Sequence, residues 1–174
     1  MKLGLVLVAM MVGAASFAQA AEFSDVRLSD DGSVLVISER GGTSFSAPKL
    51  DNQNSFEKPG ISKDRRYVGW LALFPSSGAS YAQPLSLVIL DATKHTRQFR
   101  GDFGMVFRWC YVSDGTAVVY RYQFPHGVTP IGFDMRRLKD GKLLLRSSME
   151  PVESDEDEAQ VVEAKAPAWT KCAR

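Results

Sequence analysis

Short apolar runs follow one another from Ala21 to Ser148, each fenced by polar or turn-forming residues. SVLVIS (33–38), RYVGWLALF (66–74), LSLVILD (85–91), FRWCYV (107–112), TAVVYRY (116–122) and KLLLR (142–146) are rich in Val, Ile, Leu, Tyr and Trp. Their length and composition are those of β-strands. In TAVVYRY the two-residue period puts Val118, Tyr120 and Tyr122 on one face and Val119 and Arg121 on the other. None of the runs sustains a three-to-four spacing, so helix is disfavoured throughout this region.

The separators are chemically explicit. Asp31-Gly32, Asp114-Gly115 and Asp140-Gly141 each lie between two apolar runs. Glycine accepts positive φ without a Cβ clash, and aspartate bonds to nearby backbone N–H groups, so such pairs favour tight hairpin turns. Longer loops are expected at Ser76–Ser80 and at Pro125–Pro130.

A faint repeat emerges from these turns. VRLSDDGSVLVIS (26–38), PGISKDRRYVGWLA (59–72) and RWCYVSDGTAVVYR (108–121) each read as strand, Ser-Asp or Ser-x-Asp, a few polar residues, strand. LVILDATKHTRQF (87–99) and IGFDMRRLKDGKLLLR (131–146) then extend the second and third copies by a further strand, turn and strand. The second and third units therefore read as four-stranded meanders, and the first is shorter. SDDGSVLVI, SKDRRYVGW and VSDGTAVVY resemble the turns of β-propeller repeats, nearest to those of the periplasmic Tol-system propeller and of prolyl-oligopeptidase-type propellers. The second copy departs from the pattern by carrying Arg65 where glycine would follow the aspartate. The resemblance implies blade-like units, but three are fewer than the four to eight blades that usually close a propeller. The expected fold is all-β: antiparallel meander sheets of about ten to twelve strands. They would be arranged as propeller-like units, as a β-sandwich or barrel, or as an open stack of three sheets.

After Ser148 the character changes. Glu150 to Glu158 is strongly acidic, and a short C-terminal helix is expected over 155–165, capped by Ser154 and ended by Pro167. The alternative for this stretch, 149–174, is a disordered acidic tail.

The other end of the chain has a different signature. Met1-Lys2 is followed by an apolar run from Leu3 to Ala15, and Ser16-Phe17-Ala18-Gln19-Ala20 supplies the small-x-small pattern of a signal-peptidase site. The run falls short of the roughly 20 residues a membrane span needs. Cleavage between Ala20 and Ala21 is expected, and Ala21, not cysteine, at the first mature position argues against a lipid anchor. About 154 residues then remain, one domain's worth. Export changes how Cys110 and Cys172 are read. An even pair in an oxidising compartment suggests one disulfide tethering the C-terminal segment to the domain. A buried thiol at Cys110 and an exposed one at Cys172 are the alternatives.

Charge is nearly balanced overall, with 21 Lys and Arg against 20 Asp and Glu, yet unevenly placed. Residues 53–148 are basic and both flanks are acidic. The acidic ends either fold back over the basic middle or leave it to an anionic partner. Arg97, Arg100, Arg108, Arg121, Arg136 and Arg137 interleave with aromatic residues and form the candidate ligand face. In an exported protein, such a face suggests an anionic glycan or lipopolysaccharide over nucleic acid. The bland alternative puts the aromatics in the core and the arginines in solvent. Catalytic and metal motifs are missing from the sequence: there is no Gly-x-Ser-x-Gly, no His-Glu-x-x-His and no Cys-x-x-Cys. No cofactor, metal, nucleic acid or membrane span is expected. His95 reads as a turn residue. His126, Asp134 and Arg136 are the candidates if an enzyme is hidden here. The leading expectation is a non-enzymatic protein-binding module of the bacterial cell envelope, periplasmic or secreted. A binder of an anionic envelope ligand comes second, and an enzyme with an unrecognised site third.

Overall fold

A computed structural model describes residues 22–76, 78, 81–126, 129–152 and 157–174. The leader over 1–20 with its Ala20–Ala21 junction lies outside the described residues, as does Ser154 with most of the acidic run. The described chain forms eleven strands and one short α-helix. The strands are β1 (Phe23–Leu28), β2 (Leu35–Glu39), β3 (Ser44–Ser46), β4 (Ser55–Ile61), β5 (Tyr67–Phe74), β6 (Gln83–Asp91), β7 (Thr96–Phe99), β8 (Met105–Val112), β9 (Ala117–Gln123), β10 (Ile131–Arg137) and β11 (Leu143–Met149). They make three antiparallel meanders in chain order: β1-β2-β3, β4-β5-β6-β7 and β8-β9-β10-β11. The fold is all-β with a C-terminal helix, and its first unit is the shorter one.

Two of the turns share one geometry. Ser29 Oγ donates to Asp31 Oδ1 (2.6 Å), Ser33 N donates to the same oxygen (2.9 Å), and Val34 N donates to Ser29 Oγ (3.0 Å). The next sheet repeats this with Ser62, Asp64, Arg66 and Tyr67 at 2.6, 3.2 and 2.9 Å. The hydroxyl and amide donors pull the Asp31 carboxyl down to about 2. Arg65 occupies the glycine position at φ 58° and uses its guanidinium to bind the Phe23 and Ser24 carbonyls of β1 at 3.3 and 3.1 Å. The departure from the repeat pattern thus attaches the first sheet to the second. The third copy, Ser113-Asp114-Gly115, is one residue shorter and forms a 3-10 turn.

The sheets stack. Phe23, Leu35 and Ile37 of the first pack on Phe56, Val68, Trp70, Val88 and Leu90 of the middle one. Leu71, Leu87, Ile89 and Phe99 on its other face meet Val106, Val118, Tyr120 and Tyr122 of the third. A sheet covered on both faces must be apolar at consecutive positions, which is why β5 and β6 read as unbroken hydrophobic runs. Strands of the first sheet alternate, with Arg27, Val36 and Ser46 in register on its outer face. Close approach also needs glycine. A Cβ on Gly69 would lie 2.6 Å from the Trp109 ring, and one on Gly132 would lie 2.2 Å from the Tyr122 ring.

The outer face of the third sheet is closed by the C-terminal segment. The α-helix α1 runs Glu158–Lys165, starting later than the sequence suggested; Asp157, not Ser154, caps it by accepting from Ala159 N (2.9 Å) and Gln160 N (3.4 Å). Val162 and Ala166 pack on Ile131 and Phe133, flanked by Trp169 and Met149. A 3-10 segment, Ala168–Ala173, then brings Cys172 to disulfide distance from Cys110, with Cα atoms 5.9 Å apart. Arg174 satisfies the helix C-terminus by donating to the Glu163, Ala166 and Pro167 carbonyls. Among the described residues, no helix is long and apolar enough to cross a membrane.

Candidate functional site

The densest polar chemistry centres on Asp134, which is fully buried. Strand register explains the cluster. Asp134 on β10 lies opposite Tyr120 on β9 and Arg146 on β11. Arg146 grips the carboxylate with Nε on Oδ1 (2.7 Å) and Nη2 on Oδ2 (2.8 Å). Arg136 Nη2 donates to Oδ2 at 3.1 Å, and the Tyr120 and Tyr122 hydroxyls lie 2.9 and 3.4 Å from the two oxygens. Arg136 Nε also donates to Tyr120 Oη (2.9 Å). Burial alone would raise the Asp134 carboxyl; the Arg146 hydrogen bonds, Tyr120 and the two guanidinium charges outweigh it and hold the group below the usual carboxylate range. Burial pushes the Tyr122 phenol up to about 12, with the Asp134 charge adding to it. With donors on both oxygens, Asp134 serves as the counter-charge of Arg136 and Arg146. It locks three strands together.

His126 does not join this cluster. It is exposed, and its Nε2 lies 3.2 Å from the hydroxyl of Tyr81. Asp134 and Arg136 meet, but the trio of the enzyme reading is not assembled.

The six candidate arginines do not form one face. Arg121 is buried on the helix side, where it donates to Gln123 Oε1 (2.9 Å) and pairs with Glu158. Arg108, which faces Arg121 across β8 and β9, binds the Arg174 carbonyl. Arg136 lies on the opposite side, in the Asp134 cluster. Arg100 reaches Ser86 Oγ at 3.3 Å, and Arg97 Nη2 donates to the Lys139 carbonyl at 2.8 Å. Arg137 lies 3.5 Å from Asp140. Much of the basic character of the middle region is thus spent inside the fold, part of it on the acidic flanks through Arg121–Glu158 and Lys94–Glu39.

Two larger hollows lie between the middle and third sheets. One, of about 540 Å³, is walled by Lys58, Pro59, Trp109, Tyr111 and the Cys110–Cys172 pair. Trp109 Nε1 donates to the Lys58 carbonyl (3.0 Å) and Lys58 Nζ to the Phe107 carbonyl (2.8 Å), so a bulge in β4 clasps β8 across this groove. The other, of about 460 Å³, is lined by Asp64, Arg66, Tyr67, Thr116, Arg137 and Lys139. No protein-family model and no curated protein sequence matches this chain. Among the described residues, no three His, Cys, Asp or Glu side chains converge as metal ligands.

Sheet edges supply the remaining feature. β3 and β7 are short edges of three and four residues, β4 is blunted by its bulge and Pro59, β1 is bulged near its start, and β8 is bulged near Phe107 and clasped there by Lys58. β11 is different. It runs seven residues at the edge of the third sheet, bulged only at Leu144, and exposes Leu144 (41%) and Leu145 (45%). Nothing in KLLLR distinguishes it from a buried strand, so sequence reasoning had no signal for this exposure.

Proposed function

We propose that this protein is an exported, non-enzymatic binding module of the bacterial envelope that docks an extended segment of another envelope protein along the free edge of β11. The β11 edge carries the reading. An unpaired strand edge offers a row of backbone donors and acceptors, and natural proteins usually shorten, bulge or cover such edges. Here β3 and β7 are short, β1 and β4 are bulged, and β8 is bulged and clasped by Lys58, while β11, bulged at Leu144, runs seven residues and presents two leucines. Strand addition would use the backbone for affinity and alternate side chains for selectivity. Arg146, pinned to Asp134 and Asp102, keeps the strand rigid for that purpose. Export rests on the leader pattern of residues 1–20 and agrees with the pairing of Cys110 and Cys172.

Site-specific photo-crosslinking in the envelope tests this. A crosslinker at Leu145 should capture a discrete protein partner that one at Ser38, on the outer face of the first sheet, does not. Leu144→Lys with Leu145→Lys should abolish the adduct from a crosslinker at Ser148 without lowering Tm. Equal capture from positions 145 and 38, or none from 145, would overturn the reading.

A further inference from the structure

The 460 Å³ cleft between the middle and third sheets gathers positive charge of which, among the described residues, the fold pairs only Arg137, and that at 3.5 Å from Asp140. Arg66 comes from the β4–β5 turn, Arg137 from the end of β10 and Lys139 from the β10–β11 turn, so three cations converge from two sheets. The one carboxylate in the wall, Asp64, is turned into its own loop, accepting from Ser62 Oγ and Arg66 N. Among the described residues, no acidic side chain lies within ion-pair distance of Arg66 or Lys139, and Arg137 has only the 3.5 Å contact with Asp140. Arg97, donating to the Lys139 carbonyl, sets a fourth cation close by. Tyr67 and Thr116 also line the cleft, the Thr116 hydroxyl donating to the Ser113 carbonyl at 2.9 Å.

Like charges held together cost folding free energy, and a concave wall of low dielectric concentrates their field. A ligand that brings negative charge would relieve this repulsion. Guanidinium groups present planar forks of N–H donors that match oxyanions, and an ammonium adds a point charge. We propose that this cleft is an oxyanion-binding site that takes a phosphate group, with Arg66, Arg137 and Lys139 as its cations and Tyr67 as a neutral donor. Arg137 would exchange its long Asp140 contact for the ligand. The site is separate from the β11 edge and stands whether or not that edge binds a partner.

The test uses the chain lacking residues 1–20, titrated with inorganic phosphate and followed by backbone amide shifts. Saturable shifts are expected at Arg66, Tyr67, Thr116 and Arg137, weakening as salt is raised. Arg66→Ala with Lys139→Ala should weaken binding about ten-fold or more, which is about 1.4 kcal/mol. Arg27→Ala, on the first sheet, should leave it unchanged. Vesicles of phosphatidylcholine with phosphatidylglycerol separate the sources. Vesicle binding lost in the double variant assigns a lipid headgroup, and phosphate binding without vesicle binding assigns a soluble or glycan-borne phosphate. Shifts missing from these amides, or a double variant that binds phosphate as the native chain does, would overturn the proposal.

Discussion

The two sheet–sheet interfaces of this molecule are built from different chemistry. Between the first and middle sheets the core contact is apolar, Phe23, Leu35 and Ile37 against Val68, Trp70 and Leu90, and its margin carries the Arg65 bonds to the Phe23 and Ser24 carbonyls and the Lys94–Glu39 pair. Behind the tyrosines of the contact between the middle and third sheets lies a buried carboxylate held by two arginines and two phenols. Apolar burial is non-directional and tolerates small sliding of one sheet over another. A saturated ion cluster tolerates little, because a displaced donor leaves a buried charge unpaired. The first interface therefore contributes cohesion, and the cluster behind the second fixes the register of β9, β10 and β11 within the third sheet. That assignment places the rigid part of the molecule next to β11 and the basic cleft, where binding is proposed.

The largest expected effects separate the two interfaces by their pH dependence. Trp70→Ala should cost about 3–5 kcal/mol through lost burial and the cavity left behind. Asp134→Asn should cost about 3–5 kcal/mol because Arg136 and Arg146 lose their counter-charge. The magnitudes coincide but the signatures differ. The Asp134 carboxyl is depressed in the folded protein. Its stabilisation is complete above the unfolded carboxyl pKa and is lost as pH falls through the lower folded value. Urea unfolding between neutral and acid pH should show a shallower loss in Asp134→Asn and an unchanged slope in Trp70→Ala. Parallel slopes in all three proteins would remove the distinction.

A smaller effect is expected at the cap. Cys110→Ser with Cys172→Ser, or reduction of the native protein, should lower stability by about 2–4 kcal/mol. Amides of α1 should exchange first, since the helix is short and only Val162 and Ala166 of its segment are buried against the sheet. A native mass unchanged by reductant would show that no bridge is present.

The smallest effect probes how the first sheet is attached. Arg65→Ala keeps the left-handed backbone but loses the bonds to Phe23 and Ser24, and should cost about 1–2 kcal/mol. Arg65→Gly loses the same bonds but relieves about 1 kcal/mol of backbone strain. The glycine variant should melt above the alanine variant, and identical Tm values would deny the positive φ.

Local chemistry made much of this fold legible. The six apolar runs became β2, β5, β6, β8, β9 and β11, and all three Asp-Gly pairs join neighbouring antiparallel strands. β3 escaped notice because only Phe45, of Ser44-Phe45-Ser46, points inward. β4 was legible only from Pro59 onward, since its Lys58-Pro59-Gly60 bulge interrupts the pattern. The arginines were legible as a cluster along the chain but not as a surface. Arg121 and Arg136 face opposite sides of one sheet, and whether a face meets solvent, a helix or another sheet is not encoded in the alternation itself.

By itself the sequence determined most of the strands, their antiparallel turns, a candidate C-terminal helix and the one pairing open to two cysteines. Each follows from interactions within a few residues or from simple counting. Only the tertiary structure decided that Asp134 is a lock, that His126 stands apart from it, that β11 is a bare edge, and that Arg66, Arg137 and Lys139 share a cleft. These depend on how whole sheets stack, and stacking brings together side chains far apart along the chain whose burial and charge partners no local pattern records.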